Sequence, residues 1–317
     1  MRLGIKNLKI LITAPWFTES YLSKLREDFI VDVNPKERWY NEEELIEIIS
    51  EYDGVIAGLD PFTDRVLKNA SRLKVIARRG IGYDKVNLDT CRMKNIILTN
   101  TPVRDEHEAV AEFTLGAILD ITRNIAFSST SLKGESWQRH KFLGTGLKDM
   151  TIGILGLGNI GLRVAEILRS LGSTIIYSDP YVKNDNFTRV DVEELFRNSD
   201  LVSIHIPKNA DTVDLVDKSL LSLMKMGSYL VNTARAEVLN MADLETFVKN
   251  GTIASVALDV FPTEPPDDYV FIRESRVLAT PHIAAFTRSS FNSIDRICYT
   301  NIVNVLLKKE EPEFRIV

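Results

Sequence analysis

A glycine-rich stretch near the middle of the chain has the residue types and the spacing of a dinucleotide-binding turn. Gly156, Gly158 and Gly161 form the pattern GxGxxG. They follow the apolar run Ile152–Leu155, which is typical of a buried parallel strand. The first glycine allows a tight turn, the second lets the backbone approach a pyrophosphate, and the third lets the next helix pack on the sheet. Asp179 ends the following apolar run, where its carboxylate can bind a ribose diol and repel a 2′-phosphate, so the pattern predicts NAD in preference to NADP.

Three side chains have the functional groups that carbonyl reduction needs. Each of them follows one of the apolar runs that come after the glycine-rich stretch. Hydride transfer to a ketone requires a proton donor, and histidine titrates in the useful range. His282 follows an apolar run and a proline. Glu264 could pair with it, since a carboxylate beside an imidazole holds one tautomer and favours the protonated acid. Arg235 offers a planar cation that can hold a carboxylate and polarise a carbonyl.

Each of these residues could instead have a purely structural or surface role. His282 could be a strand-end histidine bonded to backbone, Glu264 a solvated loop glutamate, and Arg235 a surface arginine. Asp259 also ends an apolar run. Its carboxylate could accept a hydrogen bond from the nicotinamide carboxamide, or it could cap the turn.

The other three of the four histidines are weaker candidates for proton transfer. His205 lies at an earlier strand end and is expected to be structural or to line the cofactor cleft. His107 and His140 lie in polar stretches, which predict surface or interface positions.

The elements that would position these residues alternate between strand and helix in two zones, Leu8–Pro102 and Met150–Phe286. Such alternation predicts an α/β fold with two doubly wound parallel-sheet domains. A final helix, at about Ser289–Leu307, could return the chain to the first domain. The candidate strands are Lys9–Thr13, Val31–Asn34, Gly54–Ala57, Lys74–Ala77 and Ile96–Thr99 in the first zone, and Ile152–Leu155, Thr174–Tyr177, Leu201–Ile204, Ser228–Val231, Ser255–Leu258 and Val277–Ala279 in the second.

The connection between the two zones contains a long amphipathic helix, predicted at about Glu108–Arg123. Val110, Thr114 and Ile118 fall on one of its faces. The polar segment Ser128–Lys148 follows and is predicted to be a loop. A loop of that length is usually functional or an interface.

Composition argues against several classes of protein. The hydrophobic and charged contents, 44% and 26%, are those of ordinary soluble globular proteins, and a net charge of −5 without a long basic tract disfavours a nucleic-acid partner. Cys91 and Cys298 form no metal-binding spacing, which fits free thiols in a reducing compartment. No apolar run approaches the ~20 residues of a membrane span, and Leu8–Ala14 is interpreted as a strand rather than a signal peptide. We therefore expect a cytoplasmic protein without membrane, nucleic-acid or metal partners.

The strand-end segments together resemble the D-isomer-specific 2-hydroxyacid dehydrogenases, and the similarity spans nearly the whole chain. The resemblance implies a flavodoxin-like catalytic domain of residues 1–102 and 287–317, with a Rossmann NAD-binding domain, residues 103–286, inserted in it. It also implies a homodimer that pairs through the cofactor domains, here through the helix after Glu108 and the segment around Trp137. The segments that carry the resemblance are Thr151–Gly161, Met224–Arg235, Leu258–Pro265, Thr280–Ile283, Arg79–Asp84 and Asn100–Pro102.

The same resemblance implies roles for individual residues. The catalytic set is Arg235, Glu264 and His282. We expect a small 2-hydroxy or 2-keto acid as substrate, held by Arg235 and by a turn that contains Arg78, Gly80, Ile81 and Gly82. The expected NAD contacts are Gly156, Gly158, Asn159, Ile160, Gly161, Asp179, Ile206, Thr233, Ala234, Asp259 and Ala285.

The chain departs from the family pattern in the first zone and beside Arg235. Thr or Ser often occupies the position of Ile81, and Gly-Gly commonly follows the arginine where this chain has Ala236-Glu237. The segment Val103–Glu108 is one residue longer than usual and more charged. The first zone is most similar to the phosphoglycerate dehydrogenase-like branch, and Arg78 with its neighbour Arg79 could attract a phosphate. A 3-phosphoglycerate, glycerate, glyoxylate or lactate-type substrate stays open.

Two alternative functions fit parts of the same pattern. One is a non-catalytic NAD-sensing protein, as in family members that act as corepressors, although competent residues fill all three catalytic positions. The other is a formate or phosphite dehydrogenase, although formate dehydrogenases have a glutamine where Glu264 stands.

Overall fold

The computed structural model describes residues 7–317 of the chain, and these divide into two compact units. The first unit comprises the chain up to Glu106 together with Thr287–Val317, and the second comprises His107–Phe286. Each unit is built on one parallel sheet, as the sequence predicts. The assignment of one unit to substrate and the other to cofactor stays a prediction.

Strands and helices alternate along most of both units. The strands are β1 Lys9–Ile12, β2 Ile30–Val33, β3 Gly54–Ala57, β4 Val75–Arg78, β5 Ile97–Thr99, β6 Thr151–Leu155, β7 Thr174–Ser178, β8 Thr188–Arg189, β9 Leu201–Ile204, β10 Ser228–Asn232, β11 Ile253–Leu258 and β12 Val277–Ala279. The helices are α1 Glu19–Asp28, α2 Glu42–Ile48, α3 Asp64–Asn69, α4 Leu88–Lys94, α5 Arg104–Arg123, α6 Ile125–Lys133, α7 Asn159–Ser170, α8 Val192–Asn198, α9 Lys218–Leu221, α10 Met241–Lys249 and α11 Arg288–Val303.

The first unit has the strand order β2-β1-β3-β4-β5, which is the flavodoxin-like order. Successive strand residues point to opposite faces, so Ile10 and Ile12 pack with α1 and α11, whereas Leu11 packs with α2 and α3. Strands β3 and β4 are buried along their whole length, because helices cover both faces of the sheet.

The second unit has seven parallel strands in the order β12-β11-β10-β9-β6-β7-β8. Counted from β6, this is the Rossmann order with one further strand at the β12 edge. Ile152 and Ile154 face α5 and α7, whereas Leu155 and Val202 face α8, α9 and α10. Both predicted doubly wound domains are therefore confirmed.

The predicted loop Ser128–Lys148 is wrong in its first part. Helix α6 extends to Lys133, and a short 3₁₀ turn covers Arg139–Phe142. The rings of Phe127 and Phe142 pack edge to face, with centroids 5.4 Å apart. Long-range packing of this kind is not visible in a polar sequence window.

Helix α5 begins earlier than predicted, at Arg104 instead of about Glu108. Asp105 and Glu106 lie in its first turn, where carboxylates favour the positive end of the helix dipole. Most of the lengthened, charged segment Val103–Glu108 therefore belongs to the start of the helix.

Candidate active site

The glycine turn joins β6 to α7 and has the geometry that the pattern predicts. Gly156 has a φ of +93°, and a Cβ there would lie 2.7 Å from the carbonyl oxygen of His205. A Cβ at Gly161 would lie 2.0 Å from the carbonyl oxygen of Gly156, so only glycine allows this approach of helix to turn. At Gly158, by contrast, a Cβ would meet no described atom within 4 Å. The backbone at Gly158 is thus open to a bound group.

Asp179 lies directly after β7 and faces the glycine turn. Its Oδ2 accepts a hydrogen bond from the backbone N–H of Leu157 at 2.8 Å. Its Oδ1 accepts from the N–H groups of Tyr181 and Val182, each at 2.8 Å. These bonds fix the carboxylate beside the turn, where the ribose of a dinucleotide would lie.

The turn and the start of α7 suit the pyrophosphate of NAD. Within residues 7–317, no side chain caps the N-terminus of α7, which begins at Asn159 and includes Ile160 and Gly161 in its first turn. Backbone N–H groups at a helix start bind anions through the helix dipole. Open space at Gly158 and an uncapped helix start are what the cofactor needs, so the residues fit it.

Replacing Gly158 by alanine tests this fit. Because the added methyl group meets no described protein atom, we expect a fold of unchanged thermal stability. NADH affinity should fall about tenfold or more, since the methyl group occupies the path of the pyrophosphate. Fluorescence titration with NADH and a thermal melt measure the two quantities.

The matched control for this substitution is Gly161→Ala, which places the same methyl group against the carbonyl of Gly156. It should lower the melting temperature, whereas Gly158→Ala should not. Equal NADH affinity in Gly158→Ala and the wild type would contradict the assignment of this turn to the cofactor.

Three neighbouring strands bring the predicted acid–base residues to one edge of the second sheet. Strands β10, β11 and β12 are adjacent, and the register aligns Asn232 with Leu258 and Leu258 with Ala279. Arg235 and His282 follow their strands by three residues each, and Glu264 lies in the segment after β11. The carboxyl ends of these strands therefore carry all three predicted residues.

His282 and Glu264 form a direct pair. Nδ1 of His282 lies 2.8 Å from Oε2 of Glu264, and the two side chains are 30% and 25% exposed. The other oxygen of Glu264 accepts a hydrogen bond from the N–H of Phe261 at 3.1 Å. An ionised Glu264 therefore accepts from Nδ1–H and leaves Nε2 of the imidazole for proton exchange.

The backbone at His282 is in the left-handed region, with a φ of +53°. Asp259, which is buried, holds the segment around it. Its Oδ1 accepts from the hydroxyl of Thr280 at 2.6 Å and from the N–H of Ile283 at 2.9 Å, while Oδ2 accepts from the N–H of Ala284 at 2.8 Å. Burial raises the pKa of Asp259, and these three hydrogen bonds oppose the rise. Such bonds stabilise an unfavourable backbone conformation at a functional position.

Asp259 thus has the turn-capping contacts that the sequence left as one of its two interpretations. A carboxylate has further acceptor capacity, so the contact to a nicotinamide carboxamide stays a prediction. Ala285 is half-buried directly after this hydrogen-bonded segment.

Arg235 is positioned by a small backbone network after β10. Nδ2 of Asn232 donates to the carbonyl of Arg235 at 2.9 Å, and the N–H of Ala234 donates to Oδ1 of Asn232 at 3.0 Å. Nη1 of Arg235 donates to the carbonyl of Ala234 at 2.8 Å. The hydroxyl of Thr233 lies 3.0 Å from that of Thr114 on α5, a contact that sequence reasoning missed.

His205 lies beside the glycine turn, and its Nε2 is 2.8 Å from Oγ of Ser203. Burial lowers the pKa of His205 to about 4, so the imidazole is neutral at pH 7. The next residue, Ile206, is buried against the position of Gly156. A structural position next to the cofactor turn is one of the two that the sequence predicted for His205.

The predicted substrate turn of the first unit is partly occupied by internal contacts. The N–H of Gly80 donates to Oγ1 of Thr101 at 2.8 Å, and the N–H of Ile81 lies 3.4 Å from Oε1 of Glu106. Nη1 of Arg78 donates to the carbonyl of Arg79 within the same turn. Glu106 was missed as a turn residue, and its only signal in the sequence is its place in the lengthened, charged segment Val103–Glu108.

Two general features of the described chain bear on function. Among residues 7–317, no group of His, Cys, Asp and Glu side chains is arranged to hold a metal ion. The same residues include no helix with the length and apolar character of a membrane span.

Comparison with known proteins places the chain among dehydrogenases. The family model of the D-isomer specific 2-hydroxyacid dehydrogenase NAD-binding domain matches residues 115–284, more than half of the chain. The D-3-phosphoglycerate dehydrogenase of Methanocaldococcus jannaschii is 33% identical over 306 residues, which cover 94% of this chain and 57% of the relative. The chain spans about half the length of the phosphoglycerate dehydrogenases that it matches.

Solved structures agree with this comparison. The TT0316 protein of Thermus thermophilus has a TM-score of 0.90 at 28% identity, over 98% of this chain and 100% of that one. The Aquifex aeolicus D-lactate dehydrogenase, crystallised with NAD and lactic acid, has a TM-score of 0.85 at 25% identity, over 95% and 98% of the two chains. Together with the glycine turn, Asp179 and the His282–Glu264 pair, these similarities lead to one conclusion: the chain belongs to the D-isomer-specific 2-hydroxyacid dehydrogenase family.

Proposed function

We propose that the protein is an NAD-dependent D-2-hydroxyacid dehydrogenase. It would transfer a hydride between NAD(H) and C2 of a small 2-hydroxy or 2-keto acid. The observation that carries the proposal is the 2.8 Å contact between Nδ1 of His282 and Oε2 of Glu264, in the same unit as a turn that fits NAD. A carboxylate-bound imidazole is a general acid and base, and the bound cofactor supplies the hydride.

Each residue of the proposed catalytic set has one task. Arg235 holds the substrate carboxylate and polarises the neighbouring carbonyl, since a guanidinium binds both groups through parallel N–H donors. His282 gives a proton to the carbonyl oxygen during reduction and takes it back during oxidation. Glu264 orients the imidazole through its contact with Nδ1.

The turn that contains Arg78, Gly80, Ile81 and Gly82 is proposed as a second recognition element for the substrate. Because the N–H of Gly80 is bonded to Thr101 and that of Ile81 is bonded to Glu106, the backbone donor of this element that we propose for the substrate is that of Gly82. The side chain of Arg78 packs against the turn. A Cβ at Gly80 would lie only 2.9 Å from Nη1 of Arg78.

Turnover with a panel of acids tests the proposed reaction. Purified protein should oxidise NADH with glyoxylate, pyruvate, hydroxypyruvate or a related 2-keto acid, as followed by loss of NADH absorbance. In the reverse direction it should reduce NAD⁺ with the D isomer of the matching hydroxy acid, and the L isomer is the control. Tight NADH binding without turnover of any acid would favour the alternative of an NAD-sensing protein.

The assembly and location that we propose depend on surface and thiol features. Five large apolar side chains of the α6 region are exposed, and Trp137 at 81% and Leu143 at 91% are the most exposed of them. An apolar surface of this kind is typical of a subunit interface and supports a homodimer.

Two free, buried thiols, Cys91 and Cys298, support a cytoplasmic location. No nucleic-acid or membrane partner is proposed.

The dimer leads to a prediction about mass in solution. The wild type should have twice the mass of one chain by light scattering, and Trp137→Ser should shift the protein toward the monomer. Tyr181→Ser, which changes a similarly exposed aromatic side chain outside this region, should leave the dimer intact. A monomeric wild type would contradict the proposed assembly.

A further inference from the structure

A buried threonine of α5 contacts one of the residues that we expect to bind NAD. Thr114 is fully buried, and its hydroxyl lies 3.0 Å from the hydroxyl of Thr233, which directly follows β10. Thr233 is half-buried and precedes Arg235 by two positions. Both threonines belong to the second unit. The contact therefore joins the interior of that unit to a half-buried side chain of the candidate site.

The hydrogen atoms of the two hydroxyl groups can be assigned from the distances. Oγ1 of Thr114 lies 2.7 Å from the carbonyl oxygen of Val110, one helical turn earlier. Two oxygens at this distance need a hydrogen between them, and a carbonyl has none, so Thr114 donates its single proton to Val110. The hydrogen between the two threonines must then come from Thr233. The Thr233 hydroxyl thus donates to Thr114 and offers only lone pairs to a ligand.

A second acceptor follows the neighbouring strand, β11. The N–H of Asp259 donates to the carbonyl of Asn232 at 3.1 Å, which continues the ladder and places Asp259 beside Thr233. Val231 and Ala257, two residues earlier on each strand, pack in one core with α5. Because side chains alternate along a strand, we expect both acceptors on that face. Asp259 accepts two hydrogen bonds at Oδ1 and one at Oδ2, so its carboxylate has further acceptor capacity.

Two neighbouring acceptors suit a primary amide, because its NH₂ group has two N–H donors. In NAD, the nicotinamide carboxamide is such a group. Asp179, the expected ligand of the adenosine ribose, follows β7, and β7 lies three places from β10 in the sheet. The nicotinamide is therefore the end of NAD that the acceptors beyond β10 and β11 would meet.

We infer that Thr114 is a positioning residue for the nicotinamide. It holds Thr233 as an acceptor, and Thr233 together with Asp259 receives the two N–H groups of the carboxamide. The inference rests on the proposed function, because it needs NAD at this edge of the sheet. Without the Thr114 hydroxyl, the proton of Thr233 is free to turn toward the ligand, where it would oppose an N–H donor.

The reduced 3-acetylpyridine analogue of NAD is the matched probe, since a methyl group replaces the NH₂ group of the carboxamide. In calorimetric titrations, the wild type should bind NADH about tenfold more tightly than this analogue. Thr114→Val keeps the shape of the side chain. It should weaken NADH binding about fivefold and change the affinity for the analogue less than about twofold. Thr114→Ser keeps the hydroxyl and should bind NADH as the wild type does.

Two further variants separate positioning from a general effect of the substitution. Thr122→Val removes the same type of bond, 2.7 Å to the carbonyl of Ile118, from an equally buried threonine of α5. It lies about two helical turns further along the helix and should change neither affinity. Thr114→Val combined with Thr233→Val should lose no more NADH affinity than Thr233→Val alone, because Thr114 acts through Thr233.

The outcomes separate this inference from the proposed function. Equal affinity of the wild type for NADH and the analogue would overturn the inference without any variant. A Thr114→Val protein in which both affinities fall equally, or neither falls, would also overturn it, even if 2-keto acids are reduced. A wild type that neither binds NADH nor turns over any acid would overturn the proposed function, and the inference with it.

Discussion

Replacing His282 by alanine should lower kcat about a hundredfold or more while NADH affinity changes little. The imidazole is the proposed proton donor, and its Nδ1 lies 2.8 Å from Oε2 of Glu264. His205 cannot take over, because its pKa of about 4 leaves it neutral at the pH of the assay. Steady-state kinetics with the best 2-keto acid and fluorescence titration with NADH measure the two effects.

His140→Ala is the matched control, since it removes an exposed imidazole of the second unit that has no part in the proposed chemistry. Its kcat should equal that of the wild type. Glu264→Gln adds a second comparison, because the amide keeps the shape of the side chain but removes the negative charge beside Nδ1 of His282. It should lower kcat less than the loss of His282 does, since the imidazole itself stays in place. A wild-type kcat in His282→Ala would show that another group supplies the proton.

The contacts that could be predicted from the sequence join residues that follow neighbouring strands of a parallel sheet. Glu264 and His282 are separated by 18 positions but follow adjacent strands, so the rule that ligands bind at the carboxyl edge brings them together. The glycine turn is predictable for a similar reason. Gly161 satisfies a steric demand set by its spacing from Gly156, and Asp179 ends the next strand of the same sheet.

Contacts that depend on packing over long sequence separations were not predictable. The similarity of the first zone to the phosphoglycerate dehydrogenase-like branch suggested that Arg79 could attract a phosphate, but its partner Asp295 lies 216 positions later on α11. Nothing in the local pattern of either residue indicates the other. Glu106 is a similar case, since a charged first helical turn normally predicts solvent, whereas this carboxyl is buried against the Ile81 amide.

Replacing Asp295 by alanine should destabilise the first unit by about 3–5 kcal/mol, because it leaves the Arg79 charge buried and uncompensated. The two side chains are 3% and 0% exposed, and the loss of one partner is costly at such a site. Asp295 also accepts from the N–H and hydroxyl of Thr18, just before α1, so the start of that helix loses an acceptor as well. Urea unfolding measures the free energy of unfolding.

The fluorescence signal can be confined to the unit concerned. The chain has three tryptophans, Trp16, Trp39 and Trp137, and only Trp137 lies in the second unit. In a Trp137→Phe background, tryptophan emission therefore reports the first unit alone. Glu311→Ala, which breaks an ion pair whose side chains are mostly exposed, is the control and should change the unfolding free energy little.

The double substitution Arg79→Met with Asp295→Leu separates two accounts of this pair. If the ion pair itself stabilises the unit, the double variant should be as unstable as Asp295→Ala. If the loss of stability in Asp295→Ala comes from the buried Arg79 charge that is left without a partner, removal of both charges should restore most of that stability. The reason is that desolvation largely offsets the attraction within a buried ion pair. We expect the second result, with a remaining loss of about 1 kcal/mol from the hydrogen bonds to Thr18. A double variant no more stable than Asp295→Ala would instead assign the pair a direct role in holding α11 against β4.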